Sequence, residues 1–254
     1  MFSFEDYKEI IRIIKSTDRY MDYHKALKSD KFILMRHDVE YSVERAYDLA
    51  KVESSMDFIS TYFFQWTNNT YNILSRKNKD MIKDMHERGH RIGLHFALNG
   101  LSNMSLVREQ IKKEMDILNE MFEFKIDTFS IHRPSREVLA ENIKFPEYIN
   151  AYQDEFFTFA DNVTEDTEVE VKYLSDANHT WHYGYPNEKN ILGNDKVQIL
   201  THPFAWCKEG YDNFDNYKSL INEKYIELIH GINNECKDFI EYRDWFLQRM
   251  PIEK

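Results

Sequence analysis

Apolar and polar positions switch between two periods along the first half of this chain. Phe32–Asp38 (FILMRHD) starts as a continuous apolar run and ends in charge, the pattern of a buried strand reaching the rim of a sheet. Ser42 is placed to cap a helix running from Val43 to about Glu53. A second strand is expected at Phe58–Phe64, which is rich in aromatic and β-branched residues. Lys79–Arg88 reads as a helix that Gly89 stops, and His90–Phe96 as a third strand. Met104, Val107, Ile111, Met115, Leu118 and Phe122 recur at helical spacing and predict a helix over Ser102–Phe122. A fourth strand, Ile126–His132, ends in His-Arg-Pro.

The second half is patterned more loosely. Strand-like pieces lie near Phe156–Ala160, Val169–Leu174 and Val197–Thr201, and two helices, roughly Tyr217–His230 and Asn233–Gln248, follow. An amphipathic helix is expected at about 4–15. Alternating strands and helices imply a parallel sheet with crossover helices. Over this length they fit an α/β fold of the (β/α) barrel kind, complete or incomplete, better than an open sheet. Seven glycines and five prolines leave few places for a linker, so residues 1–254 read as a single domain.

Charge narrows the partners. With 33 basic and 44 acidic residues the formal net charge is −11, which argues against nucleic acid and against a basic membrane-surface helix. No apolar run is long enough to be a transmembrane segment, and the stretch from Met1 to Lys15 lacks a signal-peptide core. Cys207 and Cys236 form no disulfide pattern, so a cytoplasmic protein is expected. Aromatic residues make up 15% of the chain; they fill cores first and line carbohydrate clefts second.

Four segments run from an apolar strand straight into residues that bind metals or move protons: FILMRHDVE (32–40), GHRIGLH (89–95), FSIHRP (129–134) and QILTHP (198–203). In parallel α/β folds the strand C-termini share one rim, where functional groups collect. A period of two puts Arg36, Asp38 and Glu40 on one face of the first strand and His37 on the other. Asp38 and Glu40 then suit a metal ligand and a general base, or an Arg–carboxylate pair that only caps the strand. His90 and His95 face opposite sides; His95, at the strand end, is the candidate and His90 a packed histidine. His132 and Arg133 offer an imidazole and a guanidinium side by side, and His202 ends the strand before Pro203. His24, His86 and His230 read as surface, and His179 and His182 lie in a polar loop with Trp181. No phosphate loop, nucleophile elbow or HExxH motif is present.

These residues resemble the polysaccharide deacetylase (NodB-homology) superfamily, in its divergent branch associated with surface-polysaccharide biosynthesis. The resemblance spans roughly Phe32 to Trp206 and is most specific in RHDVE, TYFF (61–64), GHRIGLH and LTHP (200–203). It implies a distorted (β/α) barrel holding a divalent ion, zinc in many members, that cleaves an N-acetyl group from a sugar. It makes Asp38 either the base or a ligand beside Glu40, and His95 a ligand. The family's second histidine is replaced by Asn99, and His132 is the candidate to stand in for it. Arg133 matches an arginine that orients the catalytic acid, although Ser135 stands where an aromatic residue is expected soon after. Asp176 resembles an acid that tunes a catalytic histidine, His202. Trp181 resembles the indole that walls the pocket, and Trp206 is a second candidate for contact with substrate. The expected substrate is a small-molecule or lipid-linked sugar precursor. The alternatives are a non-sugar amide or a catalytically silent barrel that binds a glycan or a partner enzyme. Specificity is expected in the loops Asp161–Asp166 and Asp176–Asp195.

Overall fold

A computed structural model describes residues 2–160 and 162–248; Met1 of the N-terminal stretch and Asp161 of the first expected specificity loop lie outside the described residues. Seven parallel strands form one sheet in the order β5-β4-β3-β2-β1-β7-β6. They are β1 (Phe32–Val39), β2 (Thr61–Phe64), β3 (Arg91–Ala97), β4 (Thr128–His132), β5 (Ile149–Asn150), β6 (Lys172–Ser175) and β7 (Lys196–Thr201). The helices are α1 (Phe4–Lys15), α2 (Tyr23–Ala26), α3 (Val43–Ser54), α4 (Arg76–Glu87), α5 (Met104–Phe122), α6 (Arg136–Ala140), α7 (Glu188–Leu192), α8 (Asn213–Glu235) and α9 (Ile240–Leu247).

Local chemistry accounts for the clearest elements. The Ser42 hydroxyl accepts from the Arg45 amide and starts α3, and Asn103 caps α5 in the same way. Gly89 takes a left-handed φ of 98° just past the end of α4, where a Cβ would be strained. Elsewhere the sequence pattern misled. No strand forms at 156–160, where Phe156 and Phe157 close a turn on the Gln153 carbonyl and the residues after them enter no ladder; the expected piece at 169–174 begins only at Lys172. The two-residue β5 was too short to carry a periodic signal. The two C-terminal helices are redrawn as a longer α8, from Asn213 to Glu235, and a shorter α9.

Alternation along the strands sorts residues to two sides. On β1, Ile33 and Met35 pack outward with Tyr7, Ile10 and Ile11 of α1, whereas Phe32 and Leu34 point inward to Phe63, Ile149, Phe156 and Val171. Gly93 on β3 has to be a glycine, since a Cβ there would lie 2.4 Å from the Phe63 ring. The sheet curls until its two edges meet, but they meet through side chains. Tyr152, just past β5, and Tyr173 of β6 have ring centroids 6.4 Å apart, and the Gln198 amide donates to the Phe156 carbonyl at 2.7 Å. No ladder joins β5 to β6 among the described residues. The fold is an incomplete (β/α) barrel whose seam is filled by the segment after β5.

Candidate active site

The inward-facing residues at the C-terminal ends of the strands line a cavity of ≈ 170 Å³. β1 contributes Asp38 and, just beyond it, Glu40; β3 contributes His95, β4 His132, and His202 follows β7. His37 faces the other way, as period two requires, and is buried against Glu53, Ser60 and Thr201. His90 is packed as expected, its Nε2 3.2 Å from the Ala50 carbonyl oxygen.

One donor atom from each of Glu40, His95 and His132 lies within 4.8 Å of the other two. His132 Nδ1 is 3.0 Å from Glu40 and 3.1 Å from His95 Nε2. The hydrogen-bond network assigns the tautomer of His95. The Ser130 hydroxyl donates its single proton to Asp38 Oδ1 at 3.1 Å, so at 2.7 Å it must accept from His95 Nδ1–H. The lone pair of Nε2 is then left facing Glu40 and His132. Burial pushes the His95 imidazole down to about 4, against the pull of Asp38, so it is neutral and able to ligate. Burial would raise Glu40, but the His132 hydrogen bond and the charges of His202 and His95 bring it down to about 2. Two imidazoles and a carboxylate that leave further positions open are the donor set of a catalytic divalent site, and the Asp38–Ser130–His95 chain supplies the outer support such a ligand needs. The residues fit a metal ion.

Asp38 stands at the cavity floor, 2% exposed, and is not one of the three convergent donors. Burial raises its carboxyl, but Arg36 beside it, with His95 and His202, holds it below the ordinary range. Across the cavity Asp176 is wholly buried and accepts from the His202 ring at 2.7 Å, the His202 amide at 2.9 Å and the Trp206 indole at 2.8 Å. Burial disfavours a charged His202, yet the Asp176 hydrogen bond and charge, with Glu40 and Asp38 behind them, lift it to about 9. Its Nδ1–H is committed to Asp176, so Nε2–H points to the cavity, 3.9 Å from Glu40.

Other expected residues fall elsewhere. Asn99 is exposed past the end of β3, with φ 48°, and its amide donates to Thr67. Arg133 lines the cavity in a left-handed backbone conformation (φ 46°), but the arginine at Asp38 is Arg36. Neither Trp181 nor Trp206 is among the residues lining the cavity. Trp206 is 1% exposed and packs edge-on to Tyr7 and Phe2 while it holds Asp176; Trp181 lies behind it with Tyr185. The aromatic walls are instead Tyr41, Phe204 and Tyr217 on one side and Tyr152 and Tyr173 on the other. Tyr217 comes from α8 and stacks on Phe204 at 5.9 Å. Sequence reasoning missed Ser130, although it sits two residues before His132 on the same face of β4. Nothing local announces the wall residues.

No known protein family's profile matches this sequence, and no curated protein is similar to it. Among solved structures, similar chains include a family 4 carbohydrate esterase from Bacillus anthracis, at 16% identity over 75% of each chain with a TM-score of 0.41. A chitin deacetylase from the fungal pathogen Colletotrichum lindemuthianum is 15% identical over 76% of this chain and 81% of its own, with a TM-score of 0.37. A CE4 family pseudoenzyme, also from Bacillus anthracis, is 13% identical over 76% of this chain and 60% of its own, with a TM-score of 0.40. At such scores the likenesses carry no weight for the reaction. No described helix is long and apolar enough to cross a membrane.

Proposed function

We propose that this cavity hydrolyses the N-acetyl group of a sugar, with a divalent ion, zinc, held by Glu40, His95 and His132. The observation that carries the reading is the convergence of these three donor atoms opposite an imidazolium fixed by Asp176. An ion in that position supplies Lewis acidity, which acidifies water and polarises a carbonyl oxygen. Asp38 accepts the proton of the attacking water as its oxygen bonds to the acyl carbon. As the C–N bond breaks, His202 Nε2–H delivers a proton to the leaving nitrogen, giving free amine and acetate. Asp176 keeps the His202 ring charged and aimed. The aromatic walls Tyr41, Phe204 and Tyr217 suit the apolar faces of a pyranose ring. The resemblance in RHDVE and LTHP points to a nucleotide- or lipid-linked precursor of a surface polysaccharide, handled in the cytoplasm.

The test is acetate release from N-acetylated amino-sugar derivatives by the zinc-loaded protein, beside Glu40→Gln and His202→Asn. Metal-dependent release that both variants abolish supports the reading. A wild-type protein that binds zinc and releases no acetate from any amino sugar removes it, and leaves a silent sugar-binding barrel or a hydrolase of other amides.

A further inference from the structure

Arg36 lies on the inner face of β1, two residues before Asp38, and is wholly buried. Its Nη2 is 3.5 Å from Asp38 Oδ2, and its Cζ is 4.2 Å from the centre of the Tyr152 ring and 6.0 Å from that of Phe63. None of its three guanidinium nitrogens has a hydrogen-bond partner among the described residues. A buried guanidinium is costly and persists where an anion compensates it. Among the described residues, the ion pair that does so here is with Asp38. Asp38 is thereby engaged on both oxygens, Oδ1 by a hydrogen bond from the Ser130 hydroxyl and Oδ2 by the charge of Arg36. The guanidinium carbon lies over the ring of Tyr152, a residue from the open edge of the sheet that also walls the cavity. Arginine carries a delocalised charge and a rigid fork that can face the ring and the carboxylate at once, whereas lysine offers a single point charge on a flexible stem. Arg133, the other arginine near the site, is exposed at the cavity rim and is not paired with Asp38 among the described residues.

We infer that Arg36 is a positioning residue: with Ser130 it clamps the Asp38 carboxylate in its catalytic orientation, using the Tyr152 ring as its backstop. The inference rests on the reading above, in which Asp38 accepts the proton of water. The role is exerted through Asp38 and predicts a loss in turnover rather than in binding.

The experiment compares Arg36→Lys, Asp38→Asn and the double variant in the zinc-loaded protein, following kcat, KM, zinc content and urea unfolding. Arg36→Lys is expected to lower kcat at least about tenfold, with KM within about twofold and zinc content unchanged. In the Asp38→Asn background the same substitution should change kcat by less than about twofold, because the residue it acts through is already gone. Wild-type kcat in Arg36→Lys, or losses that multiply in the double variant, overturns the inference. Arg36→Met adds a check: added guanidinium should restore part of its kcat, and no recovery in a folded protein counts against the clamp. Should Arg36→Met not fold, Arg36→Lys and the double variant still decide. If wild-type protein deacetylates no sugar, the functional reading fails on its own. The clamp is then judged from a crystal structure of Arg36→Lys, where an undisturbed Ser130–Asp38 contact overturns it and a displaced Asp38 carboxylate supports it.

Discussion

Glu53 is the most informative residue to perturb outside the cavity, because it carries a buried charge behind the strand that delivers Asp38. It is wholly buried on α3. Oε1 accepts from Tyr7 at 2.6 Å and lies 3.1 Å from His37 Nε2, while Oε2 accepts from Ser60 at 2.6 Å and Tyr62 at 2.7 Å. His90 Nδ1 is 3.5 Å away. Burial alone would raise this carboxyl, but the charge and hydrogen bond of His37, the charge of His90 and the Ser60 hydroxyl bring it from 4.5 to about 2. At roughly 1.4 kcal/mol per pH unit, that depression corresponds to about 3 kcal/mol of stability. A depressed carboxyl contributes fully above its unfolded value, 4.5, and the contribution is lost as pH falls toward the folded value near 2. Glu53→Gln removes the charge and sets an amide against two of the donors. It should cost about 3–5 kcal/mol at pH 7, as breaking a buried charged network does. The assay is urea unfolding of both proteins from pH 7 to pH 3. The wild-type advantage should hold down to about pH 5 and shrink below it. A difference that stays constant to pH 3, or a Glu53→Gln variant as stable as wild type at pH 7, would refute the reasoning.

Three further outcomes concern the cavity. Calorimetry should give one-to-one zinc binding for the wild type, and His132→Ala should abolish it while leaving the circular dichroism spectrum intact; undiminished binding removes His132 from the ligand set. Asp176→Asn should lower kcat about 100-fold with zinc content unchanged, since His202 loses the anion that keeps it charged; wild-type turnover would detach this pair from proton transfer. Tyr217→Ala, which removes a wall ring contributed by α8, should raise KM several-fold and spare kcat, and an unchanged KM would place the sugar elsewhere.

Much of this architecture is local in origin and so was legible in the chain. Ser42 caps its helix through a side-chain contact only a few residues long, and the apolar spacing from Met104 to Phe122 marks α5 without outside help. Period two was enough to separate His37 from Asp38 and to send His95 and His90 to opposite sides, because strand geometry depends on neighbouring residues alone. The seam was not legible. β5 has two residues, and the stretch after it is held by Tyr173 and Gln198 on strands far along the chain.

The same division runs through the site. The sequence by itself nominated Asp38, Glu40, His95, His132 and His202, since each ends or follows a strand that must reach one rim. The tertiary structure decided which partnerships form: Glu40 with His95 and His132, Asp38 with Arg36 and Ser130, and His202 with Asp176, the pairing that the resemblance had implied. It also turned Trp206 from a candidate substrate contact into a support for Asp176 and brought α8 over the cavity. Periodicity tells which way a side chain points. What it meets depends on how far the sheet curls, and that is set by packing between residues distant in the chain.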